Sequence, residues 1–332
     1  MASPGLFLGG DDSRGIFFPS PRAKSSIPNT RTRPYHDDVK LGCPANLKKA
    51  YPLWMTILPF GIYVVFLVLP STAGFTLAFT NWSPYTEKLR FTGFGSFAAM
   101  FTERVYGVAL VNTILFAVIT TFGKAGLGLV LALALNTAIR SRNLLRTVYF
   151  YPAVLSPLVV GLLFSAIFDA RTGLANQLVA GLGLAPVSWL GGRTTALFVF
   201  NFGEIWRSTG YAMAIFLAAL QSIPVEYREA SMIDGASAWR RFRSITLPFL
   251  MPAINLVLLT SMLFGLKIFD LVYILTGGGP GYQTETISTL ILNQFGQDMY
   301  AQSTATNLVF TLILVSFALG FQAYQRATEV AT

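Results

Sequence analysis

The 332-residue chain contains one cysteine, Cys43, and one histidine, His36. A disulfide needs two thiols and a His/Cys metal centre needs several ligands, so both are excluded, and zinc hydrolysis, haem ligation and Cys-His nucleophilic chemistry go with them. Charge is scarce too. Asp, Glu, Lys and Arg make up 12% of the chain, against roughly 25% in soluble domains. No G-x-x-x-x-G-K-[ST] phosphate loop occurs, so no ATP site is recognisable in the chain itself. The first fifty residues hold no apolar stretch of the length a secretory signal core requires.

What the chain has in quantity is apolar sequence: 53% of residues, with a mean hydropathy of +0.57. Several runs exceed the roughly 18 apolar residues that suggest a transmembrane helix. Six spans are expected, at about 53–79, 108–135, 145–168, 195–221, 246–276 and 303–325. Backbone polar groups in hydrocarbon need internal partners, and the spacing does not suit barrel strands, so each span is expected to be helical. The predicted fold class is therefore all-α, a polytopic membrane protein of six transmembrane helices. Pro59, Pro70, Pro152 and Pro157 fall within or beside spans and are expected to kink them.

The net charge of +9 could indicate nucleic acid, but its placement favours a membrane. Lys and Arg concentrate in the segment before residue 50, the 136–146 and 224–245 loops and the C-terminal end; few occupy the 81–107, 169–194 and 277–302 loops. By the positive-inside bias, both termini and the 224–245 loop are expected in the cytoplasm. Residues 1–50, rich in Pro, Ser, Gly and Arg, read as a flexible cytoplasmic tail, and 51–328 as the membrane domain. The 81–107 loop, with Trp82, Phe91 and Phe94, reads as external, its aromatics anchoring at the interface. Gly277-Gly278-Gly279-Pro280-Gly281-Tyr282-Gln283 reads as a flexible exit turn after the fifth span.

The 224–245 loop carries the most specific pattern. Pro224 suits the first turn of a helix, and Asp234-Gly235 suits its end. Ser237 is placed to cap a second helix through Trp239 and Phe242. On residue types alone this could be an amphipathic segment lying on the membrane. However, Glu229-Ala230-Ser231, then Gly235, then Ile245-Thr246-Leu247-Pro248 resembles the EAA signature of ABC-importer permeases, with Ser231 where the signature has Ala. Leu220-Gln221-Ser222-Ile223-Pro224 before it, and Phe269-Asp270 through Pro280 after it, are similar to the maltose-type first permease of carbohydrate importers.

That resemblance implies a type I importer permease whose coupling loop docks a separate ATPase through Glu229, Ala230, Ser231, Asp234 and Gly235. It implies a second, homologous permease, an ATPase dimer that binds ATP and Mg²⁺, and an extracytoplasmic solute-binding protein, with no cofactor held by this chain. It also implies that carbohydrate contacts Tyr211, Ser208, Ser261, Phe264, Gly265 and Ile268. In the maltose pattern Asn occupies the positions of Gly265 and Ile268, so the resemblance does not carry maltose itself. Polyol, glycerol phosphate and peptide cargoes stand as alternatives.

Charges at membrane depth are costly and mark functional sites. Glu204 and Arg207, and Lys267 and Asp270, each lie three residues apart and could neutralise one another on a helix. Lys124 has no acid within four residues; a partner subunit, the cavity or the headgroups could receive it. Three cations near one pathway, Lys124, Arg207 and Lys267, also raise an acidic oligosaccharide as cargo. A membrane enzyme would need a clustered acid/base or nucleophile set. The only acids within spans are Glu204 and Asp270, each beside a cation. A channel would have no use for a docking loop.

Overall fold

The computed structural model describes residues 54–137 and 140–329. The expected 1–50 tail lies outside the described residues. The chain divides into two units, Met1–Pro59 and Phe60–Thr332. Of the first, only 54–59 is described, as the opening of helix α1.

Among the described residues helices are the only extended regular structure, apart from one isolated bridge between Thr80 and Phe91. Helix α1 spans Trp54–Leu77, with a π turn at Val64–Val68, and buries none of its residues. Short α2 (Gly95–Thr102) precedes α3 (Arg104–Leu135). Helices α4 (Arg142–Val154) and α5 (Pro157–Ile167) follow, then short α6 (Leu174–Gly181) and long α7 (Arg193–Gln221). Helix α8 is Val225–Ile233. Helix α9 begins as Ala238–Arg241, passes through a π turn at Phe242–Thr246 and continues as Leu247–Leu266. Helices α10 (Asp270–Leu275), α11 (Ile287–Gly296) and α12 (Tyr300–Glu329) complete the order.

Four helical stretches are long and apolar enough to cross a membrane, and up to six if each of two bent pairs counts as one span. The expected 145–168 span is one of those pairs: α4 and α5 meet at 95°. Proline explains the break. Pro157 lacks an N–H and disfavours helical geometry in the residue before it, and Leu155 and Ser156 accordingly take extended ψ values of 138° and 137°. The other pair is α7 and α8, bent by 68° across Ser222–Pro224.

Three buried apolar clusters hold the helices together. Phe116, Val160, Phe200 and Val272 join α3, α5, α7 and α10. Ala132, Met213, Phe216 and Leu250 join α3, α7 and α9. Tyr106, Ala117, Leu266 and Phe310 join α3, α9 and α12, with Ile287 and Leu290 from α11. Helix α3 is the common member. Lipid supplies little hydrophobic drive between helices, so close contact and internal hydrogen bonds carry the association. Thr113 and Thr120 bond back to Ala109 and Phe116 carbonyls, while Asn112 reaches out of α3 to the Gln283 and Glu285 carbonyls at 2.9 and 2.8 Å.

That reach corrects the reading of 277–283 as a flexible turn. Thr284, Glu285 and Thr286 are buried, the Thr284 hydroxyl donates to Gly279 O, and Asn293 Nδ2 donates to Gly277 O at 3.2 Å. The glycines give a fold-back that Asn112 and Asn293 pin to α3 and α11. The 169–191 segment is pinned by Asn176, whose amide serves Ala170 O, Val187 O, Val187 N and Trp189 Nε1. Trp82, Phe91 and Phe94, expected at the interface, are all exposed, and each has a ring contact: Trp82 on Tyr300 at 4.9 Å, Phe91 and Phe94 on Phe79 at 6.4 and 5.6 Å.

Candidate functional site

The 224–245 loop is built from short-range signals. Pro224 stands immediately before α8 in an extended conformation (ψ 137°), and the helix runs over the expected residues 225–233. At the other end Gly235 has φ +70°, a left-handed value that side-chain-bearing residues adopt at a cost. Gly235 N bonds Met232 O at 3.1 Å and Ala236 N bonds Ser231 O at 3.0 Å, the paired bonds of a Schellman stop. Ser237 then caps α9, its Oγ accepting from Arg240 N at 3.3 Å. Arg241 Nη1 donates to Ala236 O at 2.9 Å, tying the turn to the new helix. Tyr227 packs on Phe249 at 5.3 Å, so α8 leans on the helix that follows it.

Of the residues expected to dock an ATPase, Glu229, Ala230, Asp234 and Gly235 are exposed. Ser231 is not. It is 7% exposed and its Oγ donates to Arg228 O at 2.7 Å, so the extra hydroxyl is satisfied within α8 and Ser231 packs inward rather than presenting itself outward. Ile233, 87% exposed, and Trp239, 70% exposed, add apolar surface beside the acidic Glu229.

The second feature is a cavity of about 550 Å³ between α3, α4, α7 and α9. Of the six expected substrate contacts, Ser208, Tyr211, Ser261, Phe264 and Ile268 line it. Gly265 does not. A Cβ there would lie 2.8 Å from Ala117 Cα, so its missing side chain allows α9 to approach α3 closely. Phe150, Thr260, Phe269 and Asp270 also line the wall. Phe150 carried no sequence signal; it reaches the wall because α4 crosses α7 closely, a Cβ on Gly210 lying 2.7 Å from Phe150 Cα.

Lys124, Arg207 and Lys267 all reach this wall. Glu204 is the hub: Arg207 Nη2 lies 2.9 Å from Oε2, Lys124 Nζ 3.4 Å from Oε1, and Ser208 Oγ donates to Oε1 at 2.9 Å. The Glu204–Arg207 pair is as the spacing predicts. Lys124 has an acid within its own chain, on a different helix, an arrangement the spacing did not show. Lys267 and Asp270 do not pair. Helix α9 ends at Leu266 and α10 starts at Asp270, so the expected one-turn spacing is broken and both side chains are exposed on the cavity. A larger recess of about 820 Å³ lies by α2, α3 and α12, but residues such as Phe97, Met100, Val111 and Phe310 make it mostly apolar, with few partners for a hydroxylated cargo.

Residues 124–329 match the family described as binding-protein-dependent transport system inner membrane component. A trehalose/maltose transport system permease protein of Thermococcus litoralis is 30% identical, the alignment covering 80% of this chain and 90% of that protein. A multiple sugar-binding transport system permease protein of Streptococcus mutans is 32% identical over 81% of this chain and 92% of its own. Among solved structures, a chain of a bacterial ABC transporter that imports the acidic polysaccharide alginate superposes with a TM-score of 0.74 at 24% identity, over 85% of this chain and 97% of that one.

Proposed function

We propose that this chain, which belongs to the family of binding-protein-dependent transport system inner membrane components, moves carbohydrate across the membrane through the α3/α4/α7/α9 cavity. The permeases of sugar uptake systems among its relatives support the cargo class. The observation that carries the mechanism is continuity. Helices α7 and α9 both wall the cavity, and the peptide that joins them is the α8 loop. A push on α8 is therefore a push on both walls.

In this reading a separate ATPase dimer, holding ATP and Mg²⁺, grips Glu229, Ala230, Asp234 and Gly235. A homologous second permease completes the pathway, and a solute-binding protein delivers cargo from the far side. Both termini and α8 face the cytoplasm, as the distribution of Lys and Arg supports. The chain itself makes and breaks no covalent bond. Aromatic faces of Tyr211 and Phe264 stack on apolar ring faces, and Ser208, Ser261 and the Tyr211 hydroxyl meet sugar hydroxyls, a combination suited to an oriented polar ligand.

The test is Glu229→Lys in the assembled importer. The variant is expected in the membrane at the wild-type amount, with sugar uptake lost because nucleotide hydrolysis no longer reaches α7 and α9. Wild-type uptake by that variant would remove the coupling role.

A further inference from the structure

The wall of the cavity carries five charged groups, and they are not equivalent. Glu204 bonds two of the cations, its single charge offsetting one of them. Lys124 is sealed, with its side chain 3% exposed, and Arg207 turns Nε and Nη2 toward the same carboxylate. What remains open is one cation and one anion, Lys267 and Asp270. Neither has an ion-pair or hydrogen-bond partner for its side chain among the described residues.

Their separation has a structural cause. The chain leaves the helix at Lys267 (φ −87°, ψ 13°) and re-enters it after Phe269 (φ −137°, ψ −63°). A continuous helix would have set the two on one face within reach of each other. The break instead leaves two charges of opposite sign, unpaired, at membrane depth. That placement is expensive unless a ligand or the facing second permease completes it.

Resting on the carbohydrate reading above, we infer that the break at 267–269 is a cargo-reading element, and that Asp270, with Lys267, selects a neutral, polyhydroxylated sugar. A sugar ring supplies what both groups lack. Vicinal hydroxyls donate to the Asp270 carboxylate, and a hydroxyl oxygen accepts from the Lys267 ammonium. Phe269 and Phe264 flank the pair and offer faces to the ring. Charge-assisted bonds of this kind are the strong ones. The five charged groups of the wall sum to one net positive charge, so discrimination against an anionic cargo falls to Asp270, which repels it beside the one open cation while Lys124 is sealed and Arg207 is held by Glu204. Of the three cations that raised an acidic oligosaccharide as cargo, only Lys267 is open, and it shares its wall with a carboxylate.

The experiment uses the complete importer with its binding protein in membrane vesicles, and follows labelled maltose, trehalose, lactose and oligogalacturonate. The wild-type complex is expected to take up at least one neutral sugar and to exclude the uronate. Asp270→Asn should cut that uptake about tenfold or more with the amount of assembled complex unchanged, and Asp270→Glu should recover a large part of it. Lys267→Gln should lower uptake less. Uronate uptake without neutral uptake would overturn the inference while leaving the carbohydrate reading standing. Uptake of neither class would overturn both. Undiminished uptake by Asp270→Asn, or loss of assembled complex in both Asp270 variants, would assign the residue no part in reading cargo.

Discussion

Lys124 on α3 and Glu204 on α7, 80 residues apart in sequence, meet at 3.4 Å with both side chains nearly sealed from solvent. Arg207 closes on the same carboxylate one helical turn away, at 2.9 Å. One acid thus holds two cations and adds a polar tie between α3 and α7 at the cavity wall.

Glu204 is accordingly the member of this group whose loss should be felt most. Glu204→Gln leaves Lys124 buried with no counter-charge, and breaking a buried pair from one side costs about 3–5 kcal/mol. The purified protein should unfold at a clearly lower temperature in detergent. Arg207→Gln, which keeps the Lys124–Glu204 contact at a more exposed site, should be milder.

Gly210 sits where α7 crosses α4: a Cβ on it would collide with Tyr149 O and lie 2.7 Å from Phe150 Cα. Gly210→Val is expected to push the two helices apart, costing about 1–3 kcal/mol as overpacking. Because Phe150 and Tyr211 are the neighbours displaced, sugar uptake should fall further than the melting temperature alone would suggest. Comparing thermal melts with uptake at low temperature separates the two effects.

At Gly235 the constraint is conformational. A methyl added there would meet no atom within 4 Å, but φ is +70°, so Gly235→Val costs about 1–2 kcal/mol for the left-handed geometry. The α8 stop should loosen while the spans stay intact. Uptake should drop with membrane levels and global melting near wild type, and Gly235→Asn, which tolerates this region better, should retain more activity.

Glu285 gives a pH dependence. Burial beside Gly278 pushes its carboxyl above the ordinary 4.5, partly offset by hydrogen bonding, with Asn293 Nδ2 donating to Oε1 at 2.9 Å while Oε2 has no partner. The folded chain therefore binds this proton more tightly than the unfolded chain does. The stabilisation is fully present below about pH 4.5 and is lost as pH rises through the folded-state value, with no further change above it. Glu285→Gln should flatten that part of the stability–pH curve measured by thermal unfolding, and an unchanged slope would show that another group is responsible.

Some of this was legible in the residues alone, because it is encoded over short distances. The helix over 225–233 and its stop at Asp234-Gly235 depend on Pro224, a glycine able to take φ +70°, and bonds spanning no more than five residues. The spans follow from apolar run length, a one-dimensional property. What the tertiary structure alone decided is what depends on the third dimension. It sent Lys124 to an acid on another helix, turned Ser231 inward, and gave Gly265 to a helix crossing rather than to the cavity. It also interrupted the helix at 267–269, where the sequence has neither glycine nor proline, so that Lys267 and Asp270 face the cavity unpaired. Nearest-neighbour spacing fixes which charges could meet along one helix; packing between helices fixes which of them do.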